Sequence, residues 1–265
     1  MESALEEIEF LALSSNRVEV LRLLSEGRHT RTELADETGA SQATLGRILS
    51  DFEDRSWIRH DGSEYVATAT GRLVAEGFTD LQEILETESK LREIVDYLPT
   101  HAMDFDLRRL SDATITTPSA TRPNAPLARL LEFLRAGEEV RTFSHTFNEQ
   151  TLGVVRERVS AGEQRFRGVF GQNAIDALAD ESELRRQLEA LLDADDAEIR
   201  VREEGVPIAI MIIDEDVCLL LRDETGILRA AVDTDDDAVR SWAEDSLDHY
   251  WRTATSLEAD ALSEK

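Results

Sequence analysis

The sequence predicts an α+β protein in four stretches: a winged helix-turn-helix over residues 1–78, a long linking helix over 79–98, a linker segment over 99–126 and a C-terminal α/β domain over 127–265. Three observations carry this. Residues 28–58 read as helix, tight turn, helix. Residues 79–98 keep apolar side chains near coiled-coil positions. Beyond residue 127, strand-like and helix-like segments alternate, and the apolar run 208–213 suits a strand buried on both faces of a sheet.

The chain opens with helical segments at 5–13 and 16–24, with Asn16 as a cap and Val18, Leu21, Leu23 and Leu24 as apolar positions. In the helix-turn-helix, Thr32 is placed to cap the first helix, because its hydroxyl can accept from one of the free amides there. Gly39 ends that helix, since it takes a left-handed conformation at no Cβ cost, and Ser41 caps the next. Ala43, Leu45, Ile48, Leu49 and Phe52 form the inward stripe, leaving Gln42, Thr44, Gly46 and Arg47 on a small, polar, basic outer face. Residues 57–66 alternate about Asp61-Gly62 as a β-hairpin, the wing.

Charge gives this motif a function. The chain carries 56 acids against 29 lysines and arginines, a net charge of −27. None of the 13 residues 38–50 is acidic, where the average density would place two or three carboxylates. A surface that meets phosphates excludes carboxylates, which the DNA backbone repels. Ser41, Gln42, Thr44 and Arg47 would enter the major groove, Gln42 and Arg47 being types that make bidentate base contacts. Arg59, His60 and Ser63 on the wing would meet the backbone or minor groove, and Thr30, Arg31 and Thr32 would hold phosphates. Two rival readings remain open: the helix pair as a protein-docking module, and the chain as a degenerate phosphohydrolase.

A net charge of −27 ordinarily argues against nucleic acid. Lysine is almost absent, however, with only Lys90 and Lys265, and this composition suits the cytoplasm of an extreme halophile. In molar salt the Debye length is roughly 3 Å, so only close contacts count. Cys218 is the single cysteine, set in an apolar run, which rules out an intrachain disulfide and points to a buried thiol. The first residues carry acids where a signal peptide carries bases, and no apolar run approaches the roughly 20 residues a bilayer requires, so a cytoplasmic, membrane-free protein is expected.

In the helix over 79–98, Leu81, Ile84, Leu85, Leu91, Ile94, Val95 and Leu98 fall near a and d positions, interrupted by Glu88. The stripe serves either a homodimer or packing onto the C-terminal domain. Three of the five prolines fall in the second half of the linker segment, although Phe105, Leu107, Leu110 and Ile115 suggest that it is docked or forms a strand.

The last domain reads as strand 140–147, helix, strand 165–170, helices to 192, strands at 198–202, 206–213, 217–221 and 228–232, and a closing helix from Asp236. Two strand-to-helix junctions are free of acids: Ser144, His145, Thr146 and Asn148 at one, Gln172 and Asn173 at the other. Ligands of open α/β sheets sit at the carboxyl ends of strands, where helix amides favour anions. With Arg141, Arg165 and Arg167 as charge partners, these residues predict a pocket for a small anionic or polyhydroxylated effector. The same residues also serve simply as strand ends and helix caps. His145 has no metal-ligand partner at suitable spacing and no G-x-S-x-G elbow is present, so no metal, cofactor or catalytic residue is expected.

With a winged helix, a long helix and a strand-rich domain in that order, the chain resembles the archaeal TrmB-like transcriptional regulators, with the haloarchaeal TbsP type nearest. The resemblance implies a C-terminal domain similar to half of a phospholipase D fold, whose enzymes carry H-x-K-x-x-x-x-D. Laid on Pro207, Ala209 and Asp214, only the aspartate matches, which argues against phosphodiester chemistry. The resemblance also implies sensing of a sugar or sugar phosphate, and the chain is expected to act as a DNA-binding homodimer.

Overall fold

The computed structural model describes residues 2–146, 148–258 and 262. It divides into two compact units, Met1–Glu86 and Thr87–Lys265.

The first unit contains α1 (Glu2–Ala12), α2 (Ser15–Glu26), β1 (His29–Thr30), α3 (Arg31–Thr38), α4 (Gln42–Asp54), β2 (Ile58–Asp61), β3 (Glu64–Ala67) and the start of α5 (Ala69–Leu91). Its antiparallel sheet has the order β1-β3-β2. Leu21, Leu24, Leu34, Leu45, Ile48 and Phe52 are buried together. The Phe10, Phe52 and Trp57 rings meet with centroids within 6.2 Å, and the Arg55 guanidinium lies 3.8 Å over Phe10 while Arg55 Nε donates to Glu7. This is a winged helix-turn-helix.

Four local expectations are corrected. Thr30, not Thr32, caps α3: its hydroxyl accepts from Glu33 N while the Glu33 carboxylate accepts from Thr30 N, because a glutamate three residues on completes a reciprocal capping box only with Thr30. Asn16 lies inside α2, whose cap position is Ser14. Ala43 is exposed, one residue off the buried stripe Leu45, Ile48, Leu49 and Phe52. The hairpin turn is Gly62-Ser63, since Asp61 pairs with Glu64, and Gly62 takes the positive φ of 70° that a type II′ turn needs at that place. Gly39 at φ 68° and Ser41 accepting from Thr44 N stand as the sequence predicts.

The long helix runs from Ala69 to Leu91 and then winds as a 3-10 segment, Arg92–Tyr97, instead of continuing as one helix to residue 98. Leu91 and Ile94 are buried in the core of the second unit, so the heptad stripe does not continue as a seam. The expected linker is also structured. Leu110 and Ala113 are buried in the same core, and β4 (Thr114–Thr116) pairs with the last long strand.

The second unit continues with α6 (Ala125–Ala136), β5 (Glu139–Ser144), α7 (Glu149–Ser160), β6 (Arg165–Gly171), α8 (Gln172–Ala179), α9 (Ser182–Leu192) and β7 (Ala197–Arg202). It ends with β8 (Ala209–Ile213), β9 (Asp216–Arg222), β10 (Leu228–Thr234), α10 (Asp237–Thr253) and β11 (Thr255–Ser256). The eight-stranded sheet has the order β11-β7-β6-β5-β8-β9-β10-β4. Strands β5, β6 and β7 are parallel, and β8 runs against both β5 and β9. Helices α6 to α9 cover one face over Val140, Phe166 and Leu220; α10 and the segment from Leu91 to Leu110 cover the other over Phe143, Val169 and Leu219. Every residue of β8 is buried, as its unbroken apolar run requires. That strand begins at Ala209, not residue 206, because the chain turns through Gly205 at φ 72° just before it. Burial among apolar groups pushes the Cys218 thiol up to about 12.

Candidate functional site

On the first unit, Ser41, Gln42, Arg47 and Ser50 of α4 are exposed, opposite its buried stripe. Ser41 caps the helix, with its hydroxyl 3.0 Å from that of Thr44, so these two side chains shape the helix entry. Eight arginines lie in residues 1–86, and six of them are engaged. Arg17 pairs with Asp51, Arg22 with Glu19 and Glu26, Arg28 with Asp61 and Arg55 with Glu7. Arg31 donates to the Gln42 carbonyl and Arg72 to that of Ala67. Arg47 and Arg59 have no side-chain partner among the described residues, and both are exposed. Free guanidiniums in so acidic a chain are available for acceptor atoms of another molecule.

The remaining expected residues differ in availability. Thr32 is exposed on the first turn of α3, and Ser63 is exposed at the wing tip. Thr30 spends its hydroxyl on the capping box. Arg31 lies against Gly46, whose missing side chain makes room for it, and is thereby tied to α4 instead of projecting toward phosphates. His60 Nδ1 is 3.3 Å from Glu53, and the ring stacks on Tyr65 at 4.0 Å between centroids. The wing tip also carries Asp61 and Glu64, and Arg28 offsets them at 2.7 and 4.0 Å. Sequence reading passed over Arg28, although the basic residue at the foot of β1 was there to be paired with the acidic turn.

On the second unit, the carboxyl ends of β5, β6 and β9 share one edge of the sheet, since β9 is antiparallel to a strand itself antiparallel to β5. A narrow cavity of about 30 Å³ opens there on the α6–α9 face. Ser144, Thr146, Asn148 and Thr151 line it on one side, Leu152, Val155, Phe166 and Phe170 within, and Arg222 at the end of β9. An adjoining cleft takes in His145, Thr146 and Asn173 with Glu149 and Glu181. Partial burial, then the nearby Arg222 charge, hold the His145 imidazole below the usual range.

Three expected charge partners lie elsewhere. Side chains alternate faces along a strand, so Arg141, Arg165 and Arg167 share the face of Phe143 and Val169, under α10. Arg141 pairs with Glu244 at 2.8 Å, and Arg167 lies 4.3 Å over the Trp251 ring and 3.8 Å from Glu198. Arg165 opens β6, at the edge opposite the cavity. Gln172 lines neither space and donates to Asp176. The arginine of the cavity is Arg222, which sequence reading missed. Its parity with Cys218 and Leu220 was readable, but only the tertiary pairing brings the end of β9 beside Ser144. Asp214, at φ 52°, accepts from the Glu138 and Glu139 amides at the opposite edge, which makes it a turn anchor.

No curated protein matches the chain. Among solved structures, the archaeal chromatin protein TrmBL2 is 16% identical, over 94% of this chain and 98% of that one, with a TM-score of 0.41. The phospholipase D family member Nuc from Salmonella typhimurium is 9% identical, over 55% and 99%, at 0.44. The adhesin competence repressor AdcR from Streptococcus pyogenes is 21% identical, over 34% and 79%, at 0.26. Residues 5–90 match the family model described as the HVO_A0261 N-terminal domain, and residues 123–253 match that of the middle domain of the methanogenesis regulatory protein FilR1.

Proposed function

We propose that the chain is a sequence-specific regulator of transcription that binds double-stranded DNA as a homodimer in a salt-rich cytoplasm and answers to a small anionic effector held by its second unit. The observation that carries the DNA reading is the pair of exposed arginines without a side-chain partner among the described residues, Arg47 on α4 and Arg59 on the wing, in a chain of net charge −27. In this reading Ser41, Gln42 and Arg47 read base edges in the major groove, while Arg59 and Thr32 hold the backbone. The match to a domain of a regulatory protein supports regulation over chemistry, and Asp214 is spent on backbone amides. Exposed Leu73 and Ile84, three helical turns apart on α5, and exposed Leu5 and Ile8 on α1 support a second copy as partner. A dimer places two half-sites about 10 bp apart.

The test is a DNA titration in molar KCl against genomic fragments. Arg47→Ala is expected to weaken binding by about 1–3 kcal/mol and relax sequence preference. Equal affinity in wild type and variant would turn the reading toward a protein-docking module.

A further inference from the structure

We propose that the exposed face of α5 centred on Gly77 is the place where two copies of the chain cross, the two helices meeting antiparallel at that glycine with Leu73 of each copy against Leu81 of the other. The inference rests on the homodimer reading above and deepens it, because it assigns the contact to one row of side chains on one helix and gives the glycine a role.

Three observations carry it. The first is the glycine. Gly77 stands in the interior of a helix of 23 residues, where alanine is the more stable choice because glycine loses more backbone freedom on folding. Nothing in the chain itself requires glycine there, since an added Cβ would meet no atom within 4 Å. The other glycines inside the described α-helices each face a neighbour: Gly46 the Arg31 guanidinium, Gly71 the Trp57 carbonyl and Gly153 the Gln187 side chain. A glycine that faces open space in one copy is accounted for when a second backbone approaches closely at that point.

The second is the row that contains it. Side chains four residues apart form a ridge along a helix, and the ridge through Gly77 is Ala69, Leu73, Gly77, Leu81 and Leu85, apolar throughout. Leu73 is 69% exposed and Leu85 56%, so the chain does not cover this ridge with its own side chains. Two such ridges interdigitate when helices cross at about −50°. The third is symmetry, which selects the occupant. Leu73 and Leu81 stand four residues to either side of Gly77, so a two-fold axis through the glycine lays the ridge onto its own copy, as an isologous contact demands. Glu76 and Asp80 run beside the ridge, exposed and without an ion pair among the described residues. Across such an axis they meet their own kind, a repulsion that molar salt screens.

The experiment is sedimentation equilibrium of the full chain without DNA, across a dilution series in low and in molar KCl, together with urea unfolding at a concentration where the protein is monomeric. Wild type is expected to dimerise, more tightly in molar KCl. Gly77→Ala is expected to weaken the dimer by roughly tenfold or more, through overlap at the crossing, while the urea midpoint of the monomer rises, because alanine is the better helix former. Leu73→Asn, at an exposed position, is expected to weaken the dimer with the monomer midpoint unchanged. A wild-type dimer that Gly77→Ala leaves intact overturns this inference alone and moves the homodimer contact to another surface. A wild-type monomer at every concentration overturns both this inference and the homodimer reading, with DNA binding still read separately through Arg47→Ala. A dimer that loosens as KCl rises overturns the like-charged contact. A monomer midpoint lowered by Gly77→Ala overturns the assignment to a second copy, because the chain itself would then cover the ridge.

Discussion

Asp223, just after Arg222, shows how one half-buried carboxylate organises the loop that positions it. Its oxygens accept from Thr225 Oγ1 at 2.6 Å, Thr225 N at 2.9 Å, Ile227 N at 3.0 Å and Arg229 Nε at 2.7 Å, and the loop so closed presents the Gly226 carbonyl to Arg222. These bonds, the Thr225 hydroxyl first, lower its pKa from 3.8 to about 2. A carboxyl depressed in the folded state stabilises the fold above its unfolded value, and that contribution is lost as pH falls through the folded value. Stability measured by urea unfolding should therefore fall for wild type relative to Asp223→Asn between about pH 4 and pH 2. Parallel curves would show that the loop bonds do not persist in solution. At this scale much of the site was legible. Ser41 as cap, Gly39 as left-handed terminator and Arg47 on the outer face follow from local chemistry. The face of Arg141, Arg165 and Arg167 was equally readable, since each has the parity of Phe143 or Val169 and not of Ser144.

Elements are limited by what packs beside them. Gly71, in the first turn of α5, is the sharpest case: a Cβ there would lie 1.9 Å from the Trp57 carbonyl oxygen. Thr68 holds the same junction, its N donating to the Trp57 carbonyl and its hydroxyl accepting from Gly71 N. Replacing glycine by alanine inside a helix ordinarily stabilises by roughly 0.5–1 kcal/mol. Here overlap with backbone dominates, so Gly71→Ala should destabilise by about 1–3 kcal/mol, read as a lower urea midpoint for the full chain. An unchanged or higher midpoint would mean that α5 shifts away at no cost. The long helix was predicted from its apolar spacing, yet that spacing did not say which partner each residue meets: Leu91 and Ile94 enter a core while Ile84 and Leu85 stay exposed. The linker segment read as loop-like with a docked or strand portion marked only by Phe105, Leu107, Leu110 and Ile115, because β4 has three residues, too few for periodicity to place it.

For the whole molecule the dominant quantity is charge. Fifty-six acids against 29 bases repel one another in the compact state, and salt relieves this as the Debye length drops from about 10 Å at 0.1 M to about 3 Å at 1 M. The thermal midpoint should accordingly rise steadily between 0.1 and 1 M KCl. A midpoint flat across that range would show that repulsion among the excess acids contributes little to the stability of the fold. No helix among the described residues is long and apolar enough to cross a membrane.

By itself the sequence determined the winged helix-turn-helix, its outer face and the presence of an α/β sheet with a doubly buried strand, because caps, turns and hydrophobic periodicity act over a few residues. Only the tertiary structure decided the cavity and its cation. Strand order and direction are set by pairing across long separations, and it is the two antiparallel steps from β5 through β8 to β9 that bring Arg222 beside Ser144. The tertiary structure also decided which arginines are free, since an acid close in sequence and an acid close in space are different partners: Arg28 meets Asp61 and Arg141 meets Glu244, while Arg47 meets none among the described residues.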